Sequence, residues 1–286
     1  AYAFTIVPGR TTVMTVKASL FFRRQVKRLG IAPLTSMFLH GGTTPPPIPD
    51  FRPAVHDSDG LSVETSAGEW IWRPLGNPRR LRQSLYMGAN PKGFGLLQRT
   101  RDFAAFQDLE AAYHKRPSVW VEPVRPFGEG AIHLIEIPSK REIHDNIVAF
   151  WSPVRPPAAG ERLDLEYRLN WCGLPDQAPA MGTAVATRSG VGGVAGDSNF
   201  DHRRKFVIDF AGGDLAALDK DGPPKAAVAA DHGKLFNTTV LRNAAVAGWR
   251  VTFDVEANGS QPVELRCRLT RNDKPLTETW SYQWLA

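Results

Sequence analysis

The chain has 286 residues, 42% of them hydrophobic, which is enough to build one or two folded cores and excludes a disordered protein. Lys and Arg outnumber Asp and Glu by 35 to 29, and this net charge of +6 is too small to indicate a nucleic-acid-binding protein. No apolar run approaches the roughly 18 residues of a membrane-spanning helix, so the sequence predicts no transmembrane segment.

The apolar runs are short, rich in Val, Ile, Phe and Trp, and separated by many of the 25 Gly and 23 Pro residues. This composition favours strands joined by turns, and we predict an all-β fold. In the N-terminal part of the chain, strands are predicted at residues 1–7, 12–21, 70–72, 131–137 and 147–151.

One helix is predicted in this part, at residues 100–113. Phe103, Phe106, Leu109 and Tyr113 recur there at three- and four-residue spacing, and Asp102 lies in the first turn.

A proline-rich segment at residues 152–160 interrupts the strand pattern, and we place a domain boundary there, giving domains 1–155 and 156–286. The closely spaced strands that follow predict a β-sandwich. They are expected at residues 162–172, 182–188, 204–210, 226–230, 235–242, 249–256, 263–270 and 277–284.

Several features carry no specific function. The basic runs at residues 22–28 and 78–82 lie in no recognisable nucleic-acid module and read as solvated faces. Cys172 and Cys267 either form one bridge or are two buried thiols. The sequence contains no Gly-rich phosphate loop and no zinc-ligand spacing, so we predict neither a cofactor nor a bound metal.

Two acidic clusters are candidates for chemistry. Glu142, His144 and Asp145 lie between two apolar runs, where residues 138–146 form either a plain hairpin loop or a functional site. Asp57 and Asp59 lie in an Asp-Ser-Asp-Gly run that also fits an Asx turn, whereas the further ligands of a calcium loop are missing. Two well-placed carboxyl groups are what glycosidic hydrolysis requires.

Aromatic side chains offer flat faces for sugar rings, with core packing as the alternative for each. Trp70, Trp72 and Trp151 are candidates of this kind. Tyr113 and Trp120 are the preferred ones, because they flank Arg116 at a predicted helix-to-strand junction.

Four ordered motifs carry a family resemblance. They are RLGIAPLTSMFL at 28–39, DFRPAVHDSDGL at 50–61, RPSVWVEP at 116–123 and IEIPSKREIHDNIVAFW at 135–151. Together they resemble the periplasmic glucan biosynthesis proteins of the G and D types.

The resemblance implies that the first region is the second half of a large, galactose-mutarotase-like β-sandwich, followed by an immunoglobulin-like β-sandwich. It also implies a periplasmic location and a β-1,2-glucan ligand. A further N-terminal segment of the same protein is expected as a partner, with the glucan synthesis machinery or a second copy of the chain as other expected partners.

For the site, the resemblance implies an inverting endo-β-1,2-glucanase with Asp145 as the acid and Asp57 as the base, the base reaching its water through a relay of hydroxyl groups. The residues expected to bind substrate are Glu142, Tyr113, Arg116, Trp120 and Asp59. The alternative is a glucan-binding protein without turnover, because the biosynthetic members share the same motifs.

Overall fold

The computed structural model describes residues 1–176, 178–193, 203–218 and 222–285. The chain divides into two compact units, one made of residues 1–70 and 75–178 and the other of residues 71–74 and 179–286. Within the described ranges, the only helices are four short 3-10 helices, and the remaining regular structure is β. The predicted all-β fold is confirmed. No helix there is long and apolar enough to cross a membrane.

The strands within the described residues comprise all thirteen predicted ones and eight others that the sequence did not predict. They are β1 (Tyr2–Val7), β2 (Thr12–Phe21), β3 (Ile31–Ser36), β4 (Phe38–His40), β5 (Val55–His56), β6 (Gly60–Glu64), β7 (Trp70–Pro74), β8 (Arg82–Ala89), β9 (Gly93–Leu97), β10 (Ser118–Pro123), β11 (Glu129–Glu136), β12 (Ile147–Pro153), β13 (Arg162–Cys172), β14 (Thr183–Val191), β15 (Arg203–Ala211), β16 (Lys225–Ala230), β17 (Lys234–Asn243), β18 (Gly248–Glu256), β19 (Val263–Arg271), β20 (Lys274–Pro275) and β21 (Thr279–Trp284).

In the first unit, antiparallel pairing gives one sheet in the order β1-β2-β13-β10-β9-β6 and a second in the order β3-β12-β11-β8. Strands β4 and β5 form a separate short ladder. The ring of Phe127 joins the two larger sheets, because its centroid lies 5.0 Å from that of Trp151 on β12 and 6.1 Å from that of Tyr167 on β13. All three side chains are buried in the core.

The division between the compact units falls after Ala178 and not within the proline-rich segment 152–160. Strand β13 explains the difference, because it pairs along its length with β2 and with β10 and so belongs to the first unit. The prolines do interrupt the strand pattern, but they only mark the connection from β12 to β13. Pairing between strands far apart in sequence decides which unit a strand joins.

The predicted helix at residues 100–113 is wrong. That segment holds a 3-10 helix at Phe103–Ala105, and a second one, Tyr113–Lys115, begins at its end. Gln107 and Ala112 have positive φ angles of 57° and 49°, which no right-handed helix accommodates. Of the apolar residues whose spacing suggested a helix, Phe106 and Tyr113 are buried in the core, whereas Leu109 is 85% exposed.

The second unit has two sheets, one in the order β14-β15-β18-β17 and the other containing β7, β21, β19 and β16. The Trp280 indole on β21 donates to the hydroxyl of Thr187 on β14 at 3.0 Å, which links the sheets. Phe206 and Phe253 pack beside the Trp280 ring with centroids 5.7 and 6.1 Å away. This two-sheet arrangement agrees with the predicted β-sandwich.

Both cysteines are free and buried, Cys172 in the first unit and Cys267 in the second. Burial raises the pKa of both thiols, which keeps them protonated and unreactive near neutral pH.

Candidate functional site

The two acidic clusters and the Tyr113–Arg116 junction meet in the first unit. Asp57 follows β5, Tyr113 and Arg116 lie in and after the second 3-10 helix, and Glu142 and Asp145 lie in the loop between β11 and β12. An apolar cluster packs beneath them, formed by Met37, Leu39, Val55, Phe106 and Tyr113. The site residues therefore lie over a packed apolar core.

The hairpin loop, residues 137–146, confirms the prediction that β11 and β12 form an antiparallel hairpin. Two amide side chains anchor it to the rest of the unit. Asn146 accepts a hydrogen bond from the Phe38 amide at 2.8 Å and donates to the Phe38 and Ile137 carbonyls at 3.0 Å. Asn77 accepts from the Ser139 amide at 2.9 Å and donates to the Ser139 carbonyl at 2.7 Å. Asn146 is the residue next to Asp145, so this anchor fixes the backbone that carries the acid candidate.

Asp57 has an unusual electrostatic environment. Its Oδ1 lies 3.3 Å from Arg116 Nε in an ion pair that lacks the geometry of a directed hydrogen bond. Burial raises the pKa of Asp57, the guanidinium of Arg116 opposes that rise, and the negative charge of Asp145 adds to it. Asp57 and Asp145, which are far apart in sequence, thus lie within electrostatic range of each other.

Glu142 is held by two neighbours. Its Oε2 accepts a hydrogen bond from the Tyr113 hydroxyl at 3.1 Å and lies 2.9 Å from Arg52 Nη1. Burial, reinforced by the charge of Glu142, raises the pKa of Tyr113, so the phenol stays a donor. The guanidinium of Arg116 lies 5.5 Å from the centre of the Tyr113 ring. Glu142 and Arg116 are nevertheless 40% and 45% exposed and can present polar atoms to a ligand.

These contacts place two carboxyl groups, a phenol and two guanidinium groups around one position. Such groups can move a proton at a sugar oxygen and bind sugar hydroxyls through planar, charge-assisted hydrogen bonds. In the part of the chain that the structure describes, no group of three or more His, Cys, Asp or Glu side chains is arranged to hold a metal ion.

Comparison with known proteins is consistent with a sugar-binding role for these groups. Residues 1–284 match the family model described as periplasmic glucan biosynthesis protein, MdoG. The chain belongs to the periplasmic glucan biosynthesis protein family. Its relatives include the probable glucans biosynthesis protein D of Shewanella oneidensis, which is 45% identical over 286 residues. Glucans biosynthesis protein D 1 of Ralstonia nicotianae and glucans biosynthesis protein G of Pectobacterium carotovorum are also 45% identical, over 302 and 291 residues.

These alignments cover 99% of this chain but only 53%, 56% and 56% of the three relatives, so the chain spans about half the length of the curated family members it matches. The two D proteins and the G protein named here have the same percentage identity to it. The predicted family is confirmed, and identity alone does not separate the two branches.

Not all predicted site residues join the cluster. The structure brings together Asp57, Glu142, Tyr113 and Arg116, with Asp145 coupled to Asp57 through its charge. Tyr113 is only 3% exposed, so it acts through its hydroxyl on Glu142 and cannot offer its ring to a sugar.

Trp120 was expected to bind substrate, but its side chain lies in the core. Its side chain is 1% exposed and stacks on Trp70 with ring centroids 5.4 Å apart, because the glycines at 93 and 95 on β9 leave room for the indole. A ring enclosed in this way does not contact a glucan. Trp72 and Trp151 are buried too, so core packing accounts for every tryptophan considered in the first 155 residues.

Asp59 has a structural task. Its carboxylate accepts hydrogen bonds from the Arg99 amide at 2.5 Å, the Thr100 amide at 2.6 Å and the Thr100 hydroxyl at 3.0 Å. It also lies 3.5 Å from Nε2 of His56, a histidine whose pKa is lowered by burial. These contacts fix the start of the segment that leads to Tyr113, and a direct sugar contact by Asp59 stays a prediction.

His144 is exposed and its ring Nδ1 lies 3.1 Å from the Ser139 hydroxyl, as expected of a loop histidine. The sequence reasoning missed Arg52 and the two anchoring asparagines. For Arg52, a signal existed in the charged Asp50-Phe51-Arg52 run inside one of the family motifs.

Proposed function

We propose that the chain acts in the periplasm on the β-1,2-glucan backbone in osmoregulated glucan biosynthesis, as an inverting endo-β-1,2-glucanase with Asp145 as acid and Asp57 as base. The observation that carries this proposal is the electrostatic coupling of Asp57 and Asp145, with the pKa of Asp57 raised. A carboxyl group with a raised pKa beside a second carboxyl group is typical of sites that transfer protons.

The chemistry divides between the two groups. Asp145 donates its proton to the glycosidic oxygen as the bond to the anomeric carbon breaks. Asp57 accepts a proton from the attacking water through intervening hydroxyl groups, and water adds to the opposite face of the sugar. A raised pKa makes ionised Asp57 a stronger base, and the guanidinium of Arg116 favours that ionised form.

Glu142 and Arg116 are proposed to bind sugar hydroxyls beside this pair. Both are partly exposed, and each is held by a neighbour on its other side, so little side-chain entropy is lost when a ligand binds.

A second candidate function is glucan binding without turnover, in which the chain positions nascent glucan for the synthesis machinery. The ion pairing of Asp57 with Arg116 and of Glu142 with Arg52 favours it, because paired carboxylates bind hydroxyls well without transferring protons. In both versions the proposed partners are β-1,2-glucan and the synthesis machinery or a second copy of the chain.

Incubation with linear β-1,2-glucan tests the proposal. We expect the wild-type chain to release oligosaccharides with inverted anomeric configuration, visible by NMR of the fresh product. Asp145→Asn and Asp57→Asn should each lower the rate by about 10²- to 10⁴-fold while retardation on a glucan affinity gel persists.

The control is Asp176→Asn, which removes an exposed carboxylate 3.8 Å from Arg10 and should not change the rate. Retardation without any release by the wild-type chain would favour the binding function. Full turnover by Asp145→Asn would exclude Asp145 as the acid.

A further inference from the structure

Arg52 makes more charged contacts than any other side chain near the site. Its Nη2 lies 2.8 Å from Asp50 Oδ2 and its Nε donates to Asp50 Oδ1 at 3.0 Å. Its Nη1 lies 2.8 Å from Asp108 Oδ2 and 2.9 Å from Glu142 Oε2. One guanidinium therefore contacts three carboxylates.

These carboxylates come from the three segments that carry the proposed site. Asp50 begins the segment that reaches Asp57, Asp108 precedes the turn with Tyr113 and Arg116, and Glu142 lies in the hairpin loop with Asp145. Asp108 also accepts a hydrogen bond from the Ala111 amide at 2.7 Å, which shapes the approach to that turn. Arg52 thus ties together three segments that no single strand pair joins.

We propose that Arg52 is a positioning residue that holds the hairpin loop against the other two segments through Glu142 and so places Asp145 opposite Asp57. This inference rests on the proposed function of the pair. Arg52 is 15% exposed and points its nitrogens at protein carboxylates, so it acts through Glu142 and not on the sugar.

The geometry requires an arginine. The guanidinium of Arg52 contacts Asp50 through Nε and Nη2, and its Nη1 contacts Asp108 and Glu142. The single ammonium of a lysine cannot reach all three carboxylates in this geometry. The three carboxylates also stabilise the charge of Arg52. Hydrogen bonding to Asp50 is the main cause of the raised pKa of Arg52, and Asp108 and Glu142 add to it. Without Arg52, three carboxylates would repel one another at the same place.

The test compares Arg52→Gln, Arg52→Lys and a control, Arg155→Gln, which removes an exposed ion pair to Glu161 of 2.7 Å. Hydrogen exchange, read by mass spectrometry on the 286-residue chain, reports the position of the loop without depending on activity. We expect faster exchange of residues 138–146 in Arg52→Gln, unchanged exchange in β15 and β18 of the second unit, and wild-type behaviour in Arg155→Gln.

Glucan kinetics supply the second readout. If the loop is displaced by about 1 Å, kcat should fall roughly 10²-fold, with a smaller change in KM. Arg52→Lys should recover the exchange rates only in part and kcat least of all, because one ammonium restores the charge but not the three-way contact. A merely structural role would lower stability without changing kcat in the protein that remains folded.

The outcomes separate the two proposals. If loop exchange in Arg52→Gln equals that of the wild type, or if it rises while kcat stays unchanged, the positioning role is refuted. If the wild-type chain releases no oligosaccharide, the hydrolytic function fails, and the affinity of Arg52→Gln for linear β-1,2-glucan then decides: weaker binding with faster loop exchange supports positioning, and unchanged binding overturns it.

Discussion

Replacing Asn146 with Ala should destabilise the first unit and release the loop that carries Asp145. The amide side chain is buried and makes three hydrogen bonds, one from the Phe38 amide and one to each of the Phe38 and Ile137 carbonyls. Alanine leaves the buried Phe38 N–H without this acceptor, which costs about 1–3 kcal/mol, and removes two bonds worth about 0.5–1.5 kcal/mol each. The expected loss of unfolding free energy is roughly 2–6 kcal/mol.

Hydrogen exchange in increasing urea measures this loss, because its peptides report each unit separately, whereas tryptophan fluorescence mixes the two. The matched control is His144→Ala in the same loop, which removes one exposed contact to Ser139 and should cost less than about 0.5 kcal/mol. Asn146→Asp tests the two donated bonds separately. It keeps the acceptor for the Phe38 N–H but places a second acceptor oxygen against the Phe38 and Ile137 carbonyls. If Asn146→Ala lost no more than His144→Ala, the anchoring argument would be refuted.

Three further predictions concern buried or partly buried groups. Because burial raises the pKa of Asp57 above its usual 3.8, folding binds a proton, and this contribution to stability is lost as the pH rises through the folded-state pKa. Asp57→Asn should therefore raise Tm at pH 8 and change it little towards pH 4; a lower Tm at pH 8 would contradict this sign. Glu136→Gln should cost about 3–5 kcal/mol in urea unfolding, because it leaves the buried Arg82 without its carboxylate; a loss below 1 kcal/mol would mean that water reaches the pair. Trp120→Ala should cost about 3–5 kcal/mol by removing the ring that stacks on Trp70, yet leave the glucan affinity of the folded protein unchanged, which gel retardation below its Tm checks.

Thirteen of the described strands were predictable from local patterns of apolar residues, whereas the other eight, which include β3–β6 and β8–β10, were not predicted. In β13, the alternation of Leu163, Leu165, Tyr167, Leu169 and Trp171 predicts one buried face. Leu165 and Tyr167 are buried as predicted, but past Arg168 the buried residues are Asn170 and Cys172. Membership of a compact unit was not predictable in the same way. It depends on the pairing of β13 with β2, whose residues are about 145 positions away along the chain, and nothing in the local pattern of β13 specifies that partner.

In the site, too, local sequence motifs identified some residues, whereas contacts between residues far apart in the sequence were missed. Family motifs led to Asp57 and Asp145, and the hairpin loop followed from turn residues between apolar runs. The contacts of Arg52 could not be predicted from the sequence, because its partner Asp108 is 56 residues away and lies in a segment whose apolar spacing suggested a helix. The aromatic candidates failed for a related reason: tryptophan suits both a sugar face and a core, and only packing distinguishes the two.

The hairpin loop is held by two kinds of contact that respond differently to protonation. Asn77 and Asn146 anchor its ends through neutral amide hydrogen bonds, which are independent of pH. The contact of Glu142 with Arg52 and Tyr113, by contrast, involves charge. An acid that gains and loses a proton in every turnover should not hold its own loop in place, because each transfer would loosen the backbone that positions it. Under the proposed function, the neutral anchors beside Asp145 would separate its proton transfer from the position of the loop, and the charged contact at Glu142 would set the approach to Asp57.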